Sequence, residues 1–200
     1  MDVLPRLILP AFPVVVSGPS GVGKTVLCDR LLSQLDHAVR SVSATTRPPR
    51  GNEKDGESYF FYSETEFREA ISNEEMAEHA EVHGRLYGTP KAFLDENLSA
   101  GRSVVLNIDV QGGLQLKRSY SGSVMVFVLP PSWAVLEERL RGRKSDTAEQ
   151  IEGRLERARE EVEEIARYEY VVVNDDLNRA VQELVGIVRA ERSRVDRRLA

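Results

Sequence analysis

The chain alternates short unbroken apolar runs with longer stretches in which apolar residues recur every three or four positions. "VVVS" (14–17) is uninterrupted and β-branched, and glycine follows at once, which predicts a buried parallel strand. Beyond the glycines Leu27, Leu31, Leu32 and Leu35 recur at helical spacing, so strand, glycine loop and helix are expected in that order. Further buried strands are expected at "SVVLNID" (103–109), "SVMVFVL" (123–129) and "YEYVVVN" (168–174). Another fits 39–43, and short strands fit around 58–62 and 79–83. Helices are expected over 64–73 and 90–100, the second with Thr89 as N-cap and Pro90 in its first position. Within 147–166, Ile151, Leu155, Ala158, Val162 and Ile165 step by four, three, four and three, one apolar stripe on a charged helix. Arg157–Glu161 and Arg159–Glu163 read there as (i, i+4) pairs on a solvated face. A terminal helix is expected over 176–198.

Strands alternating with helices predict an α/β fold around a central parallel sheet. Two stretches interrupt the alternation, the polar, glycine-containing 44–88 and the charged 139–155, and both read as insertions able to move relative to the core. The opening "MDVLPRLILPAFP" is broken by Pro5, Pro10 and Pro13, so residues 1–13 read as an irregular lead-in rather than a signal peptide.

Composition narrows the function. Two hundred residues at 41% hydrophobic suffice for one well-buried core. With 27 basic and 32 acidic residues the net charge is -5, which argues against broad nucleic-acid binding but permits a small anion held by clustered arginines. The single Cys28 excludes an internal disulfide and fits a reducing compartment; it reads as a small core residue of the first helix. No apolar run approaches the roughly 18 to 20 residues of a membrane span, so a cytoplasmic protein is expected. His37, His79 and His83 have no metal-ligand spacing. Monomer and homo-oligomer are not distinguished.

"GPSGVGKT" satisfies G-x-x-x-x-G-K-[ST] from Gly18 through Pro19, Ser20, Gly21, Val22 and Gly23 to Lys24 and Thr25. Its glycines let backbone N–H groups converge on phosphate oxygens, and the following helix N-terminus favours negative charge. Lys24 supplies a point charge to the β- and γ-phosphates, and the Thr25 hydroxyl suits Mg²⁺. A glycine-rich turn matching by chance is the bland alternative, and the strand before and helix after argue against it. Asp109, directly after Ile108 at the end of a buried strand, is the candidate acid near the metal, reaching it through water. It equally suits a cap for the helix starting near Gln111, and both roles can hold at once.

A P-loop alone does not separate a switch, a motor and a small-molecule kinase. "SATTRPPRGNEKDGESYFF", "EVHGRLYGTP", "NIDVQGG", "LPPSWAVLEERLRGR" and "VVVNDDL", in this order from about residue 14 to 188, resemble the guanylate kinase family. The resemblance implies a P-loop NTP hydrolase-like three-layer fold in a single domain over 14–200. Its parts would be a core (14–43, 89–138 and 156–200), a small mixed α+β GMP-binding insertion (44–88) and a helical lid (139–155). It implies phosphorylation of GMP, and of dGMP, by ATP with Mg²⁺, and neither nucleic acid nor membrane as a partner.

Carried over by residue, the acceptor phosphate would be held by Arg47, Arg50, Tyr59 and Tyr87. Arginine forks match phosphate oxygens, and tyrosine hydroxyls donate without adding charge. Taken alone, the two tyrosines fit core packing equally well. Ser43, Glu78, Thr89 and Asn107 would read the guanine, since a carboxylate accepts from both its N1–H and its N2–H₂, whereas adenine presents an acceptor at N1. Without the resemblance Glu78 is an ordinary surface carboxylate. Arg139, Arg143 and Arg154 would join Lys24 and Arg47 on the transferring phosphoryl, and Asn174 would meet the adenine edge. In isolation those lid arginines read as a charged helix surface, and Asn174 as a strand-ending turn residue.

The chain departs from the family pattern at Met76 and His79, where Phe and Trp are usual, at Lys144, where glycine is usual, and at Asn107, where Asp or Glu is usual. Two rivals remain: an interaction module of this fold without catalysis, and a kinase acting on another phosphorylated small molecule. Asn107 keeps a carbonyl acceptor and loses a charge. A hydrogen bond to a charged group contributes about 1.5–3 kcal/mol, a neutral one about 0.5–1.5. Asn107→Glu is therefore expected to tighten GMP binding in calorimetry; unchanged or weaker binding would contradict that role.

Overall fold

The computed structural model describes residues 6–82, 84–142 and 147–199, so the lid residues Arg143 and Lys144 lie outside the described residues, as does His83. The first half of the chain forms β1 (Pro13–Ser17), α1 (Lys24–Leu32), β2 (Ala38–Arg40), β3 (Ala44–Thr45) and β4 (Phe60–Phe61). There follow α2 (Glu64–Ser72), β5 (Met76–Val82), β6 (Arg85–Pro90) and α3 (Lys91–Ser99). The second half forms β7 (Ser103–Asn107), α4 (Val110–Ser119), β8 (Val124–Leu129), α5 (Trp133–Arg141) and α6 (Ala148–Glu163). A short 3₁₀ turn, β9 (Tyr170–Val173), α7 (Leu177–Arg192) and α8 (Val195–Arg198) complete it.

Five strands form a parallel sheet in the order β2-β7-β1-β8-β9. β1 lies at its centre, and Val14, Val15 and Val16 are all fully buried, as an unbroken β-branched run requires. Alternation along the strand divides the core. Val14 and Val16 pack with Leu27 and Leu31 of α1 and with Val181, Leu184 and Val188 of α7. Val15 packs on the opposite face with Leu94, Leu106, Leu116 and Met125. Helices on both faces of a parallel sheet make the three-layer α/β architecture.

A second, four-stranded mixed sheet, β4-β3-β6-β5, carries its own apolar cluster of Ala44, Phe67, Ala70, Met76 and Leu86. α5 and α6 share a third cluster of Leu136, Leu140, Ile151, Leu155 and Ala158, so the expected apolar stripe does face inward. Near the carboxyl end Glu191 is buried; burial works against its charge, yet the Tyr170 hydroxyl and Arg197 hold its carboxyl below the usual range. Among the described residues no helix is long and apolar enough to cross a membrane.

Several expected boundaries shift. The strand expected over 39–43 is shorter, with only Val39 and Arg40 of that range in β2 and residues 41–43 in no strand; β3 then begins the small sheet at Ala44. Residues 85–90 form a strand where none was expected, because they pair antiparallel along β5. The following helix starts at Lys91 with Pro90 in the cap position, so Thr89 is not its cap. The terminal helix stops at Arg192, and Arg159 approaches Glu152 (3.9 Å) rather than Glu163.

Leu184 is fully buried between α7 and the sheet. Leu184→Ala is expected to lower unfolding free energy by about 2–5 kcal/mol in urea titration, and a loss under about 1 kcal/mol would contradict this packing.

Candidate active site

The glycine loop leaves β1 in conformations closed to other residues. Gly18 has φ 137°, and a Cβ there would lie 2.2 Å from the Val128 carbonyl oxygen. Gly23 has φ 103°, and its Cβ would lie 2.6 Å from Asn174 Nδ2. That amide donates to the Val22 carbonyl (2.8 Å), and Arg139 donates to the same carbonyl (3.3 Å) and to the Asn174 carbonyl (2.9 Å). Arg139 and Asn174 thus brace the loop through its backbone. Lys24 Nζ lies across the loop, donating to the carbonyls of Gly18 (2.6 Å) and Pro19 (3.1 Å). No side chain caps the N-terminus of α1, and such a helix end favours negative charge.

A cavity of about 360 Å³ opens over this loop, lined by Ser20, Gly21, Gly23, Lys24, Thr25, Val26, Asn107, Ile108, Asp109 and Glu161. Asn107 Nδ2 donates to Thr25 Oγ1 (3.1 Å), so the structure turns Asn107 toward the P-loop threonine. Asp109 does cap α4, accepting from the Gly112 N–H (2.7 Å), and also lines the cavity. Burial pushes the Glu161 carboxyl up to about 7, Lys24 opposing the shift and Asp109 adding to it. Among the described residues no cluster of three or more His, Cys, Asp or Glu could hold a metal ion. The Thr25 and Asp109 oxygens instead suit a hard cation that arrives with phosphates and keeps much of its water. A neighbouring cavity of about 420 Å³ joins Ser20 to Arg154, Arg157, Glu149, Gln150, Gly153 and Glu161 of α6. Arg154 therefore faces the P-loop.

A separate cavity of about 330 Å³ is lined by Arg47, Pro48, Pro49, Arg50, Val82, Arg85 and Tyr87. Arg47 is only 7% exposed, with its guanidinium carbon 5.3 Å from the Tyr59 ring centroid. Tyr59 meets Tyr87 edge-on at 6.3 Å, so the rings both pack and frame the arginine. Ser43 directly precedes β3, its carbonyl accepting from the Phe60 N–H (2.9 Å). Glu78 is 6% exposed, and its Oε1 accepts from Thr89 Oγ1 (2.7 Å). Gly112 admits the other oxygen closely; a Cβ there would lie 2.9 Å from Glu78 Oε2. Burial raises the Glu78 carboxyl to about 7, with the Thr89 hydrogen bond opposing and Asp109 adding.

The expected residues thus gather at three points: the loop with Asn107 and Asp109, the arginine–tyrosine cavity, and the Glu78–Thr89 pair. Sequence reasoning missed Glu53, Arg85, Arg157 and Glu161. In sequence Glu161 and Arg157 read as one solvated pair, whereas Glu53 and Arg85 carry no signal beyond their charge.

A central parallel sheet that delivers a braced glycine loop defines a P-loop nucleotide-binding protein, here with a second cavity lined by arginines. The family model described as guanylate kinase matches residues 11–191. Guanylate kinase of Caldanaerobacter subterraneus subsp. tengcongensis is 45% identical over 184 residues, covering 92% of this chain and 89% of that protein. The Myxococcus xanthus guanylate kinase is 47% identical over 189 residues, covering 94% and 90%. The crystal structure of guanylate kinase from Anaplasma phagocytophilum superposes with a TM-score of 0.75 at 35% identity, over 96% of this chain and 92% of that one. The chain belongs to the guanylate kinase family.

Because its carboxyl rises from 4.5 to about 7 on folding, Glu78 binds a proton more tightly in the folded state. Its contribution to stability is present at low pH and lost as pH rises from 4.5 to about 7. Glu78→Gln removes that loss. The melting temperature of the variant relative to wild type is expected to rise between about pH 5 and about pH 8; a constant difference would contradict the assignment.

Proposed function

We propose that the P-loop cavity holds ATP, that the arginine–tyrosine cavity and Glu78 hold GMP, and that the γ-phosphoryl passes directly between them. As a guanylate kinase, the chain catalyses ATP-dependent phosphorylation of GMP to GDP. The observation that carries the guanine assignment is Glu78, a buried carboxylate with one oxygen on Thr89 and the other beside Gly112. Guanine N1–H and N2–H₂ satisfy such an acceptor. Adenine leaves it facing a lone pair, and an unpaired buried polar group rejects an analogue strongly.

An oxygen of the GMP phosphate attacks the γ-phosphorus as the bond from that phosphorus to the bridging oxygen of ADP breaks. Such transfer depends on in-line positioning and charge neutralisation rather than a covalent enzyme group. Lys24, now on the Gly18 and Pro19 carbonyls, is placed to follow the β- and γ-phosphates. Thr25 and Asp109, the latter through water, would hold Mg²⁺, which supplies charge neutralisation when bound with ATP. Arg154, with Arg143 beyond the described residues, would bring charge from the α5–α6 hairpin, while Arg139 and Asn174 keep the loop in shape. Closure of that hairpin and of the small sheet would exclude water, the competitor for the γ-phosphoryl. The same reading takes dGMP as an acceptor and a cytoplasmic setting.

Coupled ADP release with GMP, dGMP, IMP, AMP and UMP tests the reading. Turnover should be confined to guanine acceptors and weak or absent with AMP; equal rates with AMP would overturn the guanine assignment, and none with any acceptor would favour a binding module. Lys24→Ala should abolish turnover, a loss of at least about 10²-fold, while leaving calorimetric GMP binding intact. Lost GMP binding in the folded variant would contradict the division into two sites.

A further inference from the structure

Glu53 is the acid of the arginine loop, and three donors converge on it. Arg47 Nη1 and Nη2 donate to its two carboxylate oxygens at 2.9 Å each, and the Arg50 N–H donates at 2.8 Å. The Arg50 carbonyl accepts from the Glu53 N–H (3.0 Å), so backbone and side chain both close this turn. Arg47 and Arg50 hold the Glu53 carboxyl below the usual carboxylate range. Arg47 Nη1 spends its other hydrogen on the Pro48 carbonyl (2.8 Å).

A guanidinium has two bidentate edges, one made of its terminal nitrogens and one of Nε with Nη2. Glu53 takes the terminal edge of Arg47. The Arg47 backbone is tied as well, its N–H donating to Thr45 Oγ1 (3.2 Å), which donates to the Leu86 carbonyl (3.0 Å). Tyr59 lies against the guanidinium, and Tyr87 lines the same cavity. Held on these sides, the group has little freedom to rotate.

We propose that Glu53 is a positioning residue for the acceptor phosphate, fixing Arg47 so that its Nε–Nη2 edge serves the cavity lined by Arg50, Arg85 and Tyr87. The proposal rests on the reading of that cavity as the GMP phosphate site. Charge supports it. Glu53 cancels Arg47, and Arg50 with Arg85 leave a balance of two positive charges for a phosphate dianion. A carboxylate that only kept the phosphate's place would act in the opposite direction, because its removal would free a cation and strengthen binding.

Calorimetry of GMP, guanosine and ATP on the full chain separates these outcomes. Glu53→Gln should weaken GMP binding at least about tenfold, the order expected for a hydrogen bond to a charged group. Guanosine and ATP affinities should stay as in wild type, because only the phosphate contact is lost. In an Arg47→Lys background the same change should add less than about twofold, the signature of coupling. Glu53→Asp, which keeps the charge on a shorter stem, should fall between and carries the comparison if the Gln variant does not fold. Unchanged or tighter GMP binding would overturn the proposal, and so would equal weakening of guanosine, which marks a general structural defect. Failure of the underlying reading would appear separately, as absence of GMP binding in wild type.

Discussion

The site depends on the close approach of Gly18 to the Val128 carbonyl at the end of the parallel sheet. A Cβ at Gly18 would lie 2.2 Å from that oxygen, and φ there is 137°, so only glycine fits and the loop departs from β1 in one direction. β1 is buried and paired on both sides, with Ser17 opposite Phe127, which fixes the loop from beneath. Asn174 and Arg139 fix it from above through the Val22 carbonyl. Donors that are already aimed need no reorganisation when phosphate charge develops, which is where such sites gain most of their catalytic power.

The acids around the site are set apart by environment. Burial raises Glu78 and Glu161 to about 7, and Glu161, which lines the P-loop cavity, therefore imposes less than a full negative charge there near neutral pH. Glu53 is held below the usual carboxylate range by Arg47 and Arg50, accepting from the Arg47 guanidinium and from the Arg50 N–H. The cations come from three elements: Lys24 from α1, Arg154 and Arg157 from α6, and Arg47, Arg50 and Arg85 from the small sheet and its loop. The small sheet and the α5–α6 hairpin each have their own apolar cluster, and each also adds a side chain to the packing around the large sheet, Ala77 from β5 and Val162 from α6.

Much of this was legible in sequence where the cause is local. The unbroken runs of β1, β7 and β8 signal burial on two faces, and the P-loop pattern carries its mechanism within eight residues. The small sheet was legible only in part. β3 and β4 are two residues each, and β6 owes its extended form to pairing with β5 rather than to its own composition. Thr89 looked like a helix cap because it precedes Pro90; its hydroxyl is instead bonded to Glu78, a partner set by the β5–β6 register. Glu161 lies off the apolar stripe of α6, and nothing in that helix's periodicity reveals that it reaches the P-loop cavity. Asn107 could be placed at the site but not oriented, since its contact with Thr25 joins the end of β7 to the first turn of α1.

The central claim is that one chain holds ATP and GMP together, phosphate chains in line. A bisubstrate compound joining adenosine and guanosine through a chain of phosphates measures this directly by calorimetry. Joined ligands that occupy both sites at once bind more tightly than ATP alone, by on the order of 10²-fold or more, with one compound per chain. Affinity no greater than that of ATP, or binding undiminished in the presence of saturating GMP, would contradict the arrangement.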